Sequence, residues 1–174
     1  MLTKRVLAFN TTPLAPYAKS AQKLGLRGFC NYNQMVEQTK DAEELIKLVD
    51  ENNKDIGGAT RSRMRKENLW HRASFIFVIN TRNELLVQKR TMIKDYCPGF
   101  YDLASAGGVV DAGEDDDVSA ERELEEELGL TGYKLSKLFT FKHEVADNRV
   151  FGNFYIVSGF DPEKQKLVLQ ESEV

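Results

Sequence analysis

The sequence predicts an α/β protein, in which an amphipathic helix packs on a β-sheet. Runs of β-branched and aromatic residues, which are typical of strands, recur between turn residues at 74–80, 84–90, 133–143 and 149–158. Between the second and third of these runs, apolar side chains follow the helical spacing at Ala120, Leu124 and Leu128. We therefore expect one sheet with this helix against it.

The first predicted elements are a strand, a turn and a helix. The stretch 42–49 ends as a strand, and residues 50–58 are rich in Asp, Asn and Gly, which tolerate the positive φ angles of turns. A hairpin is the expected result. Residues 61–69 are polar and compatible with a helix.

A central hairpin is predicted for the next two strands. Residues 81–83 form a turn between the strands 74–80 and 84–90, so these strands are expected to pair. Pro98-Gly99 then breaks the following loop, and residues 101–105 form a short strand before a pair of glycines.

Composition narrows the class of protein. A chain of 174 residues has the size of one domain plus an extension. No apolar run approaches the roughly 18 residues of a membrane span, so no membrane partner is expected. The two cysteines, Cys30 and Cys97, are isolated and indicate no disulfide framework, which fits a reducing compartment.

Charge divides the chain at residue 36. Residues 1–36 hold five of the 24 basic residues and none of the 27 acidic ones, so this segment carries +5 and the remainder −8. The acid-free segment resembles an organelle presequence, with a processing-like site at 27–30; a disordered or docking extension is the alternative. We expect a mitochondrial or other organelle location if it is a presequence, and a cytoplasmic one otherwise. The domain then spans 37–174, and its acidic character argues against a nucleic-acid partner.

A spaced set of glycines and charged residues precedes the third strand. Gly108 is followed after five residues by Glu114, and after seven more by the run Arg122-Glu123-Leu124, Glu126-Glu127 and Gly129-Leu130. Asp117 is predicted to cap a helix that runs to Leu128, and Gly129 to end it in the left-handed conformation. The motif is therefore a loop followed by a helix.

The glutamates of this helix predict a metal site. Glu123, Glu126 and Glu127 stand at i, i+3 and i+4, so their carboxylates project from one face and repel one another. Hard oxygen ligands that converge in this way suit Mg²⁺ or Mn²⁺, which can neutralise a diphosphate and activate water. A solvated Glu-rich surface is the alternative; it explains Glu121 and Glu125 but neither the glycines nor Arg122.

This constellation resembles the Nudix hydrolases, and the resemblance extends from about Val49 onward. It implies an α/β/α sandwich around a mixed sheet. It also implies hydrolysis of a diphosphate linkage in a small molecule, namely a nucleoside or other alcohol diphosphate linked to a second moiety, with Mg²⁺ or Mn²⁺ as cofactor. The oligomeric state is not readable from these residues.

The resemblance assigns roles within the motif. It implies that Glu123 and Glu127 are the principal metal ligands, and that Glu126 is a further ligand or the base that activates water. Arg122 is implied to hold Glu123. It also implies that Glu114 is an auxiliary carboxylate and that the main-chain carbonyl of Gly108 lies near the metal.

The flanking residues narrow the resemblance to one branch of the family, which is similar to isopentenyl diphosphate isomerase and its bacterial hydrolase-like members. They are 71–73, 85–90, Lys94, Pro98-Gly99 and 148–152. In that branch the counterparts of Arg90 and Lys94 face the diphosphate; ordinary surface charge is the alternative. His71 is either a structural hydrogen-bond partner or a ligand.

Two rival functions follow from the same resemblance. Isomerisation requires a Cys-Gly-His turn, but this chain has Ser105-Ala106-Gly107-Gly108, so Ala106 replaces the thiol, and Cys97 comes too early to be its counterpart. A Nudix-fold module that binds without turnover is the other rival, and the complete set of glutamates argues against it. The short stretch after residue 169 predicts a domain truncated at its C-terminus, with part of the sheet left exposed.

Overall fold

A computed structural model describes residues 43–92 and 98–170. The predictions made for residues 1–36, Cys30, Lys94, Cys97 and the final stretch 171–174 lie outside the described residues and stay predictions. Among the described residues, no helix is long and apolar enough to cross a membrane.

Strands dominate the described chain. In chain order the elements are β1 (Leu45–Val49), β2 (Asp55–Thr60), α1 (Arg61–Lys66), β3 (His71–Asn80), β4 (Gln88–Lys89), β5 (Tyr101–Asp102), α2 (Asp116–Leu128), β6 (Ser136–Val145) and β7 (Asn148–Phe160). Five strands form one sheet in the order β2-β1-β3-β7-β6, while β4 and β5 form a separate ribbon. Because β3 and β7 run parallel and the other neighbours antiparallel, the predicted mixed sheet is confirmed.

The two helices pack on opposite faces of this sheet. On β1, Ile46 and Leu48 pack into an apolar cluster with Met64 of α1, whereas Lys47 between them reaches Asp116 of α2. This alternation follows from the period of two along a strand. The predicted α/β fold with helices on both sides is confirmed.

Helix α2 packs against the sheet through its apolar stripe. Ala120, Leu124 and Leu128 are almost completely buried and join Ile76 and Val78 of β3 in the main core. Burying a leucine side chain stabilises the fold by about 1.5–3 kcal/mol. The glutamates of α2 are thereby carried on a helix with a fixed orientation.

The loop before α2 lies between β1 and β3. These two strands are paired where Leu48 faces His71, and residues 105–112 fill the space between their diverging ends. The Ser74 N–H donates to the Gly108 carbonyl at 2.8 Å. On the other side, the Lys47 N–H donates to the Val110 carbonyl at 2.8 Å. The loop is therefore held by main-chain hydrogen bonds along both edges.

The predicted central hairpin is wrong beyond its turn. The chain does turn back, with Leu86 N–H donating to the Val78 carbonyl at 2.9 Å, but it then leaves β3 and forms β4, which pairs with β5. The reason is competition for one edge of β3, because Ile76 there bonds to Ala106 at 2.8 Å. The other edge of β3 pairs with β7.

The boundaries of other elements differ from the predictions by a few residues. The hairpin of β1 and β2 is confirmed, but β2 already begins at Asp55 within the predicted turn. The N-cap of α2 is Asp115 rather than Asp117, because the Asp115 carboxylate accepts the Asp117 N–H at 2.9 Å. Gly129, at φ 67°, ends α2 in the left-handed conformation as expected.

Candidate active site

Two glycines bring the loop against helix α2. Gly107 has a φ of +137°, and a Cβ there would lie 2.2 Å from the Ser74 carbonyl oxygen, so a side chain is excluded. Its N–H donates to Oε2 of Glu127 at 3.0 Å. At Gly108, a Cβ would lie 2.7 Å from the carboxyl carbon of Glu123. The absence of a side chain lets Gly107 lie close to β3 with its N–H on Glu127, and at Gly108 it leaves room for the Glu123 carboxylate.

One guanidinium organises the remaining carboxylates of the motif. Arg122 binds both oxygens of Glu114, through Nε at 3.1 Å and Nη2 at 3.0 Å. Its Nη1 donates to Glu123 at 2.9 Å and to Glu126 at 3.1 Å. Asp111 lies further away, 3.7 Å from Nη2. A paired contact of this kind fixes the orientation of both partners, which a single point charge does not do.

The glutamates differ in exposure. Glu127 is buried, with 5% of its surface exposed, and the side chain of Glu123 is 13% exposed, whereas that of Glu126 is 52% exposed. Burial raises the pKa of Glu123, and Arg122 opposes this shift. The hydrogen bonds from Arg122 lower the pKa of Glu114. Negative charge is therefore concentrated in a partly enclosed site.

The three glutamates share the helix face but point to different partners. Glu127 accepts from the loop, while Glu123 and Glu126 turn towards Arg122. Within residues 43–92 and 98–170, no group of three or more His, Cys, Asp or Glu side chains is arranged to hold a metal ion. The carboxylate oxygens are hard donors and fit Mg²⁺ or Mn²⁺, as does the predicted main-chain carbonyl. That carbonyl, of Gly108, accepts the Ser74 N–H.

The acidic run that begins α2 is bound by the sheet. The Asp116 carboxylate lies 3.2 Å from Nη1 of Arg72, 3.4 Å from Nζ of Lys47 and 3.0 Å from the donating amide of Asn153. The next residue, Asp117, accepts a hydrogen bond from the Tyr155 hydroxyl at 2.7 Å. These carboxylates thus anchor the first turn of α2.

Sequence reasoning missed Lys47, Asn153 and Tyr155 as anchors of this turn. A signal was present, because Lys47 interrupts an otherwise apolar strand, and a buried ammonium needs a partner. Asn153 and Tyr155 are two residues apart on β7, so both side chains project from the face of the sheet that α2 covers. Their partners lie more than 30 residues away in the chain, so their pairing was not readable.

The proposed phosphate-binding cation, Arg90, directly follows β4 of the small ribbon. Nη1 of Arg90 is 3.6 Å from the carboxylate of Asp102 on the neighbouring strand. Lys94, its expected companion, lies outside the described residues. The structure therefore places Arg90 next to a carboxylate that would orient it.

His71 is buried at the start of β3. Its Nδ1 lies 3.1 Å from the Leu69 carbonyl oxygen, and 3% of the residue is exposed. Burial lowers the pKa of His71 to about 4. This environment fits the structural interpretation of this histidine, as a neutral hydrogen-bond partner within the sheet.

The turn before Gly107 offers no nucleophile. Ala106 is buried in the core against α2, and the Ser105 hydroxyl donates to the Ile76 carbonyl at 3.4 Å. Neither side chain has access to solvent, with exposures of 2% and 0%. A packed methyl group, that of Ala106, therefore fills this position in the turn.

Comparison with known proteins identifies related sequences. The NUDIX domain family matches residues 69–174. An uncharacterized Nudix hydrolase, YfcD of Salmonella typhi, is 41% identical over 141 residues, which are 80% of this chain and 74% of that protein. The uncharacterized Nudix hydrolase PA4841 of Pseudomonas aeruginosa is also 41% identical, over 117 residues, 67% of this chain and 69% of that protein.

Solved structures support the same fold. DR0079 from Deinococcus radiodurans superposes with a TM-score of 0.62 at 23% identity, over 75% of this chain and 79% of that one. A MutT protein from Methanosarcina mazei superposes with a TM-score of 0.50 at 19% identity, over 60% and 72% of the two chains. At these identities the superpositions show a shared fold.

Proposed function

This chain belongs to the Nudix family, whose hydrolases act on pyrophosphate bonds, and we propose from that premise that its reaction is metal-dependent cleavage of a diphosphate linkage. The substrate is a nucleoside, or other alcohol, diphosphate linked to a second moiety. The single observation that carries this proposal is the Arg122 guanidinium, which binds Glu114, Glu123 and Glu126 beside the loop that holds Glu127.

Burial supports a division of roles among the carboxylates. We assign Glu127, which is buried, and Glu123, whose side chain is 13% exposed, to hold Mg²⁺ or Mn²⁺, with the Gly108 carbonyl as a further donor. Glu126, which is half exposed, is reached by water and serves as the base or as a further ligand. When bound, the ion supplies charge neutralisation of the diphosphate and a lowered pKa for water.

The chain's own residues accept a proton from the attacking water and keep the carboxylates oriented. In its role as the base, Glu126 takes a proton from water as the water oxygen attacks phosphorus. The bond from that phosphorus to the bridging oxygen breaks, and the bridging oxygen leaves on the other phosphate group, so a phosphomonoester is released. Arg122 keeps Glu123 and Glu126 apart and oriented through this step.

The substrate's diphosphate is proposed to meet Arg90 and Lys94. Arg90 has a defined orientation through Asp102, which supports such a role. The same two cations, together with the flanking residues, support placing the chain in the branch that is similar to isopentenyl diphosphate isomerase. Within that branch, the packed Ala106 favours hydrolysis over isomerisation.

The boundaries and the location of the domain are also proposals. We propose residues 37–174 as the catalytic domain and residues 1–36 as an extension with its own role. The relatives named above come from bacteria, so they do not support an organelle location.

A substrate panel tests the proposed function. Nucleoside diphosphates, sugar nucleotides, dinucleoside polyphosphates and isopentenyl diphosphate are each incubated with Mg²⁺ or Mn²⁺, and the products are identified. We expect Glu127→Gln to lower kcat by about 100-fold or more, while Glu125→Gln, on the exposed face of the same helix, leaves it unchanged. Unchanged turnover in Glu127→Gln would overturn the site. Double-bond migration without phosphate release would favour an isomerase, and binding without turnover a binding module.

A further inference from the structure

A lysine is buried in the middle of strand β1. The side chain of Lys47 is 7% exposed, and its strand neighbours Ile46, Leu48 and Val49 are buried and apolar. Removing an ammonium group from water is costly unless it is paired and hydrogen-bonded. Lys47 has such partners: its Nζ donates to the main-chain carbonyl of Glu114 and lies 3.4 Å from the carboxylate of Asp116.

The contacts of Lys47 continue to the proposed metal ligands. The Glu114 residue whose carbonyl it holds binds Arg122 through both carboxylate oxygens. Arg122 in turn binds Glu123, whose carboxyl group lies against Gly108. A change in the position of the Glu114 main chain is therefore passed on to the position of the Glu123 carboxylate.

Lys47 also holds the other end of the same segment. Its main-chain N–H donates to the Val110 carbonyl at 2.8 Å, while its side chain binds Glu114 four residues later. The segment 110–114 connects the glycine loop to α2. Both of its ends are thus attached to one residue of β1.

We propose that Lys47 is a positioning residue for the Nudix site, which sets the Glu114–Arg122–Glu123 contacts by holding the Glu114 carbonyl. It lies outside residues 69–174, the part of the chain that matches the family. The proposal rests on the proposed function, because it takes Glu123 as a metal ligand.

Positioning and folding are separable here. The first turn of α2 is attached to the sheet by Arg72 and Asn153, which bind Asp116, and by Tyr155, which binds Asp117. These contacts remain when Lys47 is replaced. We therefore expect Lys47→Met to fold, with α2 in place but with a less well-defined Glu114.

The test measures metal binding without substrate. Mn²⁺ is titrated into the wild type, Lys47→Met and Ile46→Ala, and free Mn²⁺ is followed by electron paramagnetic resonance; thermal unfolding of each protein is recorded in parallel. Ile46 is the matched control because it is a fully buried neighbour on β1 whose side chain packs in the α1 cluster, on the opposite face. We expect Lys47→Met to weaken Mn²⁺ binding by about tenfold or more, whereas Ile46→Ala lowers the Tm and keeps wild-type affinity.

The outcomes separate the two proposals. Wild-type Mn²⁺ affinity in Lys47→Met would overturn the positioning role and leave the proposed function intact. An equal loss of affinity in Ile46→Ala would also overturn it, because the loss would then follow stability. If the wild type binds no Mn²⁺, the proposed function fails, and the role of Lys47 with it. Should the methionine variant not fold, Lys47→Arg keeps the charge beside Asp116 but changes its reach, and the same comparison applies.

Discussion

The carboxyl group of Glu123 lies against the α-carbon of Gly108, so that a Cβ at this position would be 2.7 Å from the carboxyl carbon. This contact predicts the effect of Gly108→Ala. The carboxylate must move away from the loop although Arg122 holds it at 2.9 Å, and small displacements of reacting groups cost much rate. We expect kcat to fall by about 10- to 100-fold.

A second glycine provides the control for this substitution. A Cβ at Gly152 would lie 2.8 Å from the ring of Phe75, so Gly152→Ala introduces a comparable contact without meeting a carboxylate. Steady-state kinetics and the Tm are measured for both variants. Equal losses of kcat in both, or none in Gly108→Ala, would argue against a role for the Glu123 contact.

Arg122→Lys tests the value of the paired contacts. Lysine keeps the charge but cannot bind both oxygens of Glu114 while it also reaches Glu123 and Glu126. We expect kcat to fall by about 100-fold and the Mg²⁺ concentration for half-maximal rate to rise. Arg63→Lys is the control, because Arg63 is an exposed arginine of α1 that pairs with Glu67, the residue that follows this helix. Full activity in Arg122→Lys would contradict the account.

His71 predicts a loss of stability on mild acidification. Its pKa is about 4 in the folded protein, against 6.5 for the unperturbed side chain. Between these values the unfolded chain takes up a proton that the folded chain does not, so the free energy of unfolding decreases as the pH falls from 6.5 to about 4. The contribution is at most about 3 kcal/mol.

Urea unfolding across this pH range isolates the histidine. We expect His71→Gln to show a shallower decrease in stability with falling pH than the wild type. His143→Gln, which replaces the other histidine, on strand β6, is expected to follow the wild type. If His71→Gln and the wild type lose stability in parallel, the buried neutral histidine is not the cause.

Asp116→Ala removes the anchor of α2. Lys47 and Arg72 would then be left largely buried without their carboxylate, with side chains 7% and 18% exposed. Breaking a buried ion pair in this way costs about 3 kcal/mol. Urea unfolding measures the change, and Glu67→Ala, which breaks the exposed pair with Arg63, is expected to change stability little. A small effect in Asp116→Ala would mean that the sheet does not hold α2 through this residue.

Local sequence patterns predicted the elements that depend on near neighbours. The stripe of Ala120, Leu124 and Leu128 and the stop at Gly129 are properties of residues within one helix, and both are confirmed. The N-cap was misplaced by two residues because Glu114 to Asp117 are all acidic, and any of the aspartates can cap a helix. The side chain that accepts the helix N–H is Asp115.

Features that depend on distant partners were not predictable in the same way. The predicted partner strand of β3 was wrong, because strand periodicity does not indicate which strand lies alongside. The true neighbour, β7, begins almost 70 residues after Asn80. The helical spacing correctly placed Glu123 and Glu126 on one face, but their directions are set by Arg122, through side-chain conformations that spacing does not encode. The role of Lys47 follows from its two partners, the Glu114 carbonyl and the Asp116 carboxylate, and the sequence does not identify these partners.

Isotope transfer from water shows whether the reaction is metal-dependent attack of water at a diphosphate. The wild type is incubated in ¹⁸O-labelled water with the best substrate of the panel and either Mg²⁺ or EDTA. The masses of the products are then measured by mass spectrometry. We expect one ¹⁸O atom in one of the two phosphate-containing products from each bond cleaved, and no cleavage with EDTA. Products without label, or equal cleavage in the presence of EDTA, would contradict it.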